Sequence, residues 1–519
     1  MAGETKIIQP AVQYTLRGAS QVVENTAHRV LVVGQQLATA TATSGELQEE
    51  IGNDNSWDTL FGEKSMLAAT IRAFKGSLSA PLNRTTRIDA IGLDDATGTQ
   101  ATGNVTFTTG PSSAAATITV DIGSSRDHSY ELTVASGTAI TAIGDALEAL
   151  VTADTKAQAA AVNAVGDVEF TAAHDGTVGN GIGIRVTGTI PGVDIAVTAM
   201  SGGATDPTLT TLFDPVSDAR YQTIIYPGNW EIDNLSDFLD ARFNTTGLLL
   251  DGVGIMSITD DFAGHGTFLD AENSASVCVH CNTTVDDTLY KGSSIFETDY
   301  AVAGQIAALR ALRLTDNASI ARFVIGDAAL DSFGGVHLSS KPYFNTPFPF
   351  LPVIPTGKGF SASQIITLNA KGGFVLGNNI SGNSIIAGAV VTTYKTDAAS
   401  NPDTSFKFLN SVDIGIAIRE FMFNNTRSTY AQSRLTDGDL IPRVASVNDD
   451  AFTAFLIGLY VRLTEPEFSL TRSGEDNINI FKENLVITLD LSSGELSAEM
   501  VTPIVGQFRE SNNVIVIRF

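Results

Sequence analysis

The chain has 519 residues, enough for two to four folding units of ordinary size and for a sizeable core. Hydrophobic residues make up 43% of it and charged residues only 17%, against about 25% in an average soluble domain, so strands and turns are favoured over charged helices. The 31 basic and 57 acidic residues give a net charge of −26, which repels phosphate backbones and argues against nucleic acid as a partner.

The N-terminal elements form a β-α-β pattern behind an extended arm. Residues 5–16 contain Pro10, which forbids a continuous helix, and their apolar residues suit a strand. A continuous apolar run predicts a buried strand at 29–34, followed by a helix at 65–75 and a second strand at 87–93. The strand-forming residues of the arm are Ile7, Ile8, Val12 and Tyr14.

A change of composition marks residues 99–205 as an inserted module. Short alternating stretches such as NVTFTT and TITVDI are typical of β structure, and one helix is predicted at 139–151. The α/β pattern then resumes, with Asn234 as the predicted cap of a helix. It predicts strands at 221–227, 252–258 and 276–281 and helices at 234–244 and 299–314.

Five prolines between residues 341 and 361 exclude a helix or a central strand, so this aromatic-rich segment is predicted to be a stiff connector. Beyond it, the sequence predicts strands at 363–368 and 384–394, a long helix at 405–430 and a hairpin at 485–505.

The last seven residues, NVIVIRF, are apolar on both faces apart from Arg518. Such a strand must be covered on both sides, and no equally apolar strand adjoins it in sequence, so we expect a neighbouring subunit to receive it. The residues that would make this contact are Val514, Ile515, Val516 and Ile517.

Sequence motifs give no support for catalysis. Cys278 and Cys281 form a CxxC motif within a predicted strand, where positions i and i+3 point to opposite faces, so we expect a buried, inert pair and not a redox or zinc site. The glycine-rich stretches lack the spacing of phosphate-binding loops, and neither GxSxG nor HExxH occurs. We expect no catalytic, cofactor-binding or metal-binding residues.

Targeting and redox features agree with a soluble protein made in a reducing cytoplasm. The two cysteines are too few for a disulfide framework, and the start of the sequence lacks the pattern of a secretory signal. The longest apolar run, at 452–461, is shorter than the ~20 residues that a membrane span needs. We expect no membrane partner.

The acidity is unevenly distributed. Residues 372–519 hold 11 basic against 17 acidic residues, a net charge of −6, which leaves −20 for residues 1–371. The N-terminal two thirds is therefore interpreted as solvated exterior and the C-terminal third as the part that meets a partner. Arg419, Arg427 and Arg434 fall near one side of the predicted helix, either as an ordinary solvated face or as a stripe that contacts an acidic surface.

Several stretches, in order along nearly the whole chain, resemble tail sheath proteins of Mu-like contractile-tailed phages. They are RVLVVGQ at 29–35, TLFGEKSMLAATIRAF at 59–74, AIGLDDATG at 90–98, AAHDGTVGNGIGIRV at 172–186, AMSGGATDP at 199–207 and the segment at 406–439. The resemblance implies a structural subunit of hexameric rings stacked in a helical sheath, which is assembled in the host cytoplasm and ends in the virion.

The resemblance also implies a mechanism and partners. Each subunit lends its N- and C-terminal arms to neighbours, and the sheath contracts to drive the tail tube through the host envelope. The partners implied are the tube protein, whose acidic surface the three arginines would face, and the baseplate and tail terminator proteins. No ATP site is required, since the energy is stored during assembly.

The predicted fold class is multidomain α/β and β: an α/β core with an inserted β-rich domain, a C-terminal α+β domain and extended arms. The predicted divisions are an arm at 1–27, a middle domain at 28–98 and 206–345, an inserted outer domain at 99–205, a C-terminal domain at 346–505 and an arm at 506–519.

Two other functions remain open from the sequence. A capsid component would share the acidic, polymeric character. A nucleotide-binding α/β oxidoreductase could begin with the strand at 29–34, although the second and third glycines of its fingerprint are missing after Gly34.

Overall fold

The computed structural model describes residues 28–52, 56–78, 86–216, 219–243, 249–316, 343, 347–348, 350–465, 471–492 and 495–504. Both predicted arms, at 1–27 and 506–519, lie outside these residues. The described part is a mixed α/β structure, as the sequence predicted.

Twenty-one strands are described. In chain order β1 to β21, they are Arg29–Gln36, Leu47–Gln48, Arg87–Asp94, Gln100–Thr108, Ala116–Ile122, Ser124–Val134, Ala159–Ala164, Asp167–Asp175, Ile184–Thr187, Asp194–Ser201, Thr223–Ile225, Val253–Asp260, Val277–Asp287, Tyr290–Ser293, Pro347–Phe348, Gly373–Asn378, Ser384–Ala387, Arg434–Leu435, Ser446–Val447, Val486–Asp490 and Glu495–Glu499.

Ten α-helices are described. In chain order α1 to α10, they are Ser56–Phe61, Met66–Ser77, Ile140–Ala153, Asp233–Asp240, Phe262–Ala271, Asp299–Asp316, Ala362–Lys371, Leu409–Tyr430, Asp449–Leu463 and Glu475–Glu483. None of the helices in the described ranges is both long and apolar enough to span a membrane.

A parallel sheet with helices on both faces forms the central unit, defined here as residues 28–98 and 206–408. Six parallel strands lie in the order β3-β1-β11-β12-β13-β16, and short antiparallel strands flank them. Val30 and Val32 of β1 point into a core with α1, α2 and α6, whereas Leu31 and Val33 point into one with α4, α5 and α7. Burial on both faces explains the continuous apolar run of β1.

The CxxC pair lies in β13 as predicted. Cys278 packs with one core and Cys281 with the core on the opposite face, and both thiols are free and fully buried. Burial raises the pKa of both thiols well above the usual range, so neither is poised as a nucleophile. No group of three or more metal-ligating side chains occurs in the described ranges.

The inserted module, residues 99–205, has its own core between two layers of strands. Strands β10-β4-β8-β7 form one antiparallel sheet, and β6-β5-β9 form the other, with α3 packed against β7 and β6. Strand β9 pairs with β14, so hydrogen bonds join the module to the central unit. Gly292 of β14 has φ 137°, and a Cβ there would lie 2.6 Å from the Gly183 Cα, so this junction requires glycine.

The C-terminal unit, residues 409–504, packs α8, α9 and α10 around a smaller core. Its centre includes Phe421, Leu456, Tyr460 and Phe481, and the Tyr460 and Phe481 rings stack with centroids 4.3 Å apart. The predicted hairpin is present as β20 and β21.

Several predicted elements are corrected by the structure. Residues 363–368, predicted as a strand, belong to α7, whose N-terminus is a capping box between Ser361 and Gln364. Gly372 ends this helix in the left-handed conformation, with φ 97°. The predicted strand at 384–394 ends at Ala387. Strand β16 and helices α9 and α10 were not predicted.

The predicted cap at Asn234 is also wrong. Helix α4 begins at Asp233 behind Ile232, which is 5% exposed, and no side chain caps this end. Burial of Ile232 in the core therefore fixes the start of the helix, with Asn234 in its first turn.

Candidate functional site

Helix α8 connects the central unit to the C-terminal unit, because its two ends belong to different cores. Leu409 and Val412 pack with the core of the central sheet, whereas Ile418 and Phe421 pack with that of the C-terminal unit. The side chains that bind α8 to the central unit therefore also fix the position of the C-terminal unit.

A buried ion pair holds the first half of α8. Arg310 of α6 donates to Asp413 at 2.7 Å, and the two side chains are 3% and 0% exposed. The Tyr343 hydroxyl donates to the other carboxylate oxygen, also at 2.7 Å, and Arg310 donates to Thr223 of β11. Burial opposes the charge of Arg310, but Asp413 outweighs it and raises the pKa of Arg310. Loss of one partner of such a pair costs about 3–5 kcal/mol.

Two further ion pairs hold the middle of α8. Arg220 lies 3.0 Å from Glu420, and Arg419 pairs with the buried carboxylate of Asp251. Of the three arginines in the predicted stripe, Arg419 therefore binds a carboxylate of the chain's own central unit. Arg427 is half-buried in the last turn of α8, and Arg434 is exposed in β18.

Strands β20 and β21 form a two-stranded sheet at the end of the described chain. They pair with each other from Val486 and Glu499 to Asp490 and Glu495, and neither pairs with a third strand of the described part. One face contacts the C-terminal core through Ile487, Leu496 and Ala498. An isolated hairpin is marginally stable, and its outer edges present unpaired N–H and C=O groups that can accept another strand.

Exposed aliphatic residues concentrate in the same unit. Of the fourteen large hydrophobic residues that are exposed in the described ranges, eight lie between 440 and 501. Clustered exposed apolar side chains mark contact surfaces in soluble proteins. They are Leu440, Ile441, Val444, Val461, Ile480, Val486, Leu491 and Val501.

The region where a nucleotide-binding fold would receive a phosphate is closed by side chains. The first amide of α2, at Met66, donates to His174 Nε2 at 2.9 Å, and His174 Nδ1 lies 2.7 Å from Asp95. The Ser65 side chain accepts from the Ala68 amide. Since residues of the inserted module and of the cap occupy this helix N-terminus, the geometry disfavours the oxidoreductase alternative.

The chain is similar to several tail sheath proteins. No protein-family model matches the chain. Over 206 residues it is 29% identical to the Mu-like prophage FluMu tail sheath protein of Haemophilus influenzae, a match that covers 38% of the chain. The match spans 40% of that relative's length. This relative confirms the resemblance to Mu-like tail sheath proteins that the sequence indicated.

Two solved structures align with most of the chain. The sheath tail protein of Desulfitobacterium hafniense is 13% identical, covers 95% of this chain and 100% of its own, and has a TM-score of 0.43. That of Listeria innocua is 11% identical, covers 93% of each chain and has a TM-score of 0.46.

Proposed function

We propose that the chain is the structural subunit of a contractile phage tail sheath, which polymerises helically around a tail tube. The observation that carries the proposal is the C-terminal unit, which holds a hairpin with open outer edges and eight of the fourteen large hydrophobic residues that are exposed in the described ranges. Similarity to a Mu-like prophage tail sheath protein supports the same reading. The protein is assembled in the host cytoplasm into hexameric rings, and it resides in the virion.

The arms supply the connection between subunits in this proposal. The segments around Ile7, Ile8, Val12 and Tyr14 and around Val514–Ile517 add strands to the open edges of β20 and β21 in neighbouring subunits. When each subunit donates a strand head-to-tail to the next, the contacts need not close into a ring. Repeating such a contact therefore extends a filament. Each backbone hydrogen bond contributes on the order of 1 kcal/mol, and each buried Val or Ile adds roughly 1.5–3 kcal/mol at most.

The remaining contacts follow from the same arrangement. Arg427 and Arg434 face the acidic surface of the tube protein, with Arg419 next to them on α8, and the ends of the sheath meet the baseplate and tail terminator proteins. Contraction is a sliding of rigid subunits that stay joined by the exchanged strands, and it drives the tube through the host envelope.

Negative-stain electron microscopy tests the proposal. We expect hollow helical tubes from the full chain and folded monomers from a version truncated after Ser511. A second variant, in which Val514, Ile515, Val516 and Ile517 are all replaced by Thr, keeps the length and strand propensity but removes the apolar contact, and it should also fail to assemble. Closed shells from the full chain would favour the capsid alternative. Unaffected tubes from both variants would show that the C-terminal arm does not connect the subunits.

A further inference from the structure

A cavity of about 610 Å³ lies where the inserted module meets the carboxyl ends of the parallel strands. Gly228 and Asn229 follow β11, Ile258 and Thr259 end β12, and Thr284 lies in β13. Ligands of open α/β sheets bind beyond the carboxyl ends of the strands, and a cavity of this volume is typical of small-molecule sites. It is separate from the C-terminal unit on which the proposed assembly depends.

The walls of the cavity are largely apolar. Val178 and Met200 line it from the inserted module, and Ile258, Val285 and Tyr300 line it from the central unit. Such walls suit the hydrocarbon part of a ligand, while a few polar groups fix its orientation.

One carboxylate, that of Asp299, provides the charge in the interior of the cavity. The hydroxyls of Thr259 and Ser257 donate to its Oδ1 atom at 2.8 and 3.1 Å, which holds the side chain in place. Asp299 nevertheless keeps an intermediate exposure, and it lines the cavity. Next to it, the side chain of Thr298 is buried.

No lysine or arginine of the described residues pairs with Asp299. The ion pairs of the described residues do not include it, and Lys291, which also lines the cavity, pairs with Asp286. His280 reaches the same Ser257 hydroxyl, but burial lowers its pKa to about 3, so it is uncharged at neutral pH. The Ala301 and Val302 amides in the first turn of α6 donate to the Thr298 carbonyl and not to the carboxylate.

We propose that this cavity binds a small primary amine, with the alkylammonium group on Asp299 and the hydrocarbon part against the apolar walls. A carboxylate removed from water without a cation is costly, and an ammonium group would relieve that cost. Anionic ligands are disfavoured because the lysine at the cavity is already paired. Burial raises the pKa of Asp299 because it outweighs the hydrogen bonds that Thr259 and Ser257 donate to the carboxylate.

The test compares two probes of the same shape, cyclohexylamine and cyclohexanol, by equilibrium dialysis against the full chain. About 0.5 M salt screens non-specific attraction of the amine to the acidic surface. We expect saturable binding of the amine, with the alcohol bound about tenfold more weakly. Asp299→Asn, whose side-chain oxygen can still accept from both hydroxyls, should remove this preference.

A second pair of variants keeps the test independent of Asp299. Ala199 is exposed and lines the cavity, whereas Ala196 is exposed on the same strand and does not line it. Ala199→Trp should block the amine and Ala196→Trp should not. Equal binding of the two probes, an unchanged preference in the Asp299→Asn protein, or no saturable binding would each overturn the proposal.

Discussion

At the scale of single residues, the buried acids differ in how the chain compensates them. Asp413 has Arg310 as a buried partner. Glu297 instead accepts from the Ser124 hydroxyl at 2.8 Å and from the Thr298 amide, and both of these donors are neutral. Burial outweighs these bonds and raises the pKa of Glu297 to about 8. This carboxyl therefore carries a proton in the folded chain at neutral pH.

We expect Glu297 to make the chain less stable as the pH rises through neutrality. Between its ordinary value of 4.5 and the folded value of about 8, the folded state keeps the proton that the unfolded state releases. The free energy of unfolding therefore falls with rising pH across this window and levels off above it. Compared with Glu297→Gln, the wild-type chain should lose on the order of a few kcal/mol between about pH 5 and pH 8 in urea unfolding.

Glu483→Gln is the matched control, because Glu483 is exposed at the end of α10. It should keep the pH slope of the wild-type chain. If the Glu297→Gln protein showed that slope as well, Glu297 would not be protonated in the folded state.

At the scale of elements, the sequence predicted the helices and strands whose formation depends on neighbouring residues. The apolar run at 29–34 predicted a buried strand, and the helix predicted at 65–75 begins within one residue of the observed start of α2. Helix α7 was missed because adjacent Ile365 and Ile366 look like strand residues, although the Ser361–Gln364 capping box was available as a signal. The pairing of Arg419 with Asp251 joins residues far apart in sequence, so it could not be predicted.

Two arginines at and just beyond the end of α8 are proposed to contact the tube. The double charge reversal Arg427→Glu and Arg434→Glu should abolish co-sedimentation with the tail tube protein, since the altered surface would repel an acidic tube. Polymerisation of the chain alone should persist. Lys482→Glu, a reversal at another exposed position of the C-terminal unit, should leave both assemblies unchanged. Retained co-sedimentation of the double variant would mean that the tube binds elsewhere.

At the scale of the whole molecule, exposed apolar surface concentrates in the C-terminal unit. This unit holds eight of the fourteen large hydrophobic residues that are exposed in the described ranges, and the central unit and the inserted module share the other six. A chain with this division can stay soluble through one part and associate through another.

This division predicts opposite effects for one substitution at two places. Val486 of β20 is 55% exposed and Val162 of the inserted module is 61% exposed. Val486→Glu should prevent tubes while leaving a folded monomer, because it places a charge on the assembly surface. Val162→Glu should leave the tubes intact. Electron microscopy and circular dichroism of both proteins would check this, and the same outcome for both would contradict the division.

The order of strands in the central sheet also determines when the chain can fold. Strand β1 lies beside β11, with the whole inserted module between them in sequence, and β16 adds to β13 only after a further long stretch. Pairing between distant segments is slow, whereas the strands of the inserted module lie within one continuous stretch and include two hairpins, β5–β6 and β7–β8. During synthesis the module should therefore fold first and the parallel sheet should close later. The hairpin of β20 and β21 is the last element of the described part to emerge, so the edges proposed to receive a neighbour's strand form only after the subunit's own core is nearly complete.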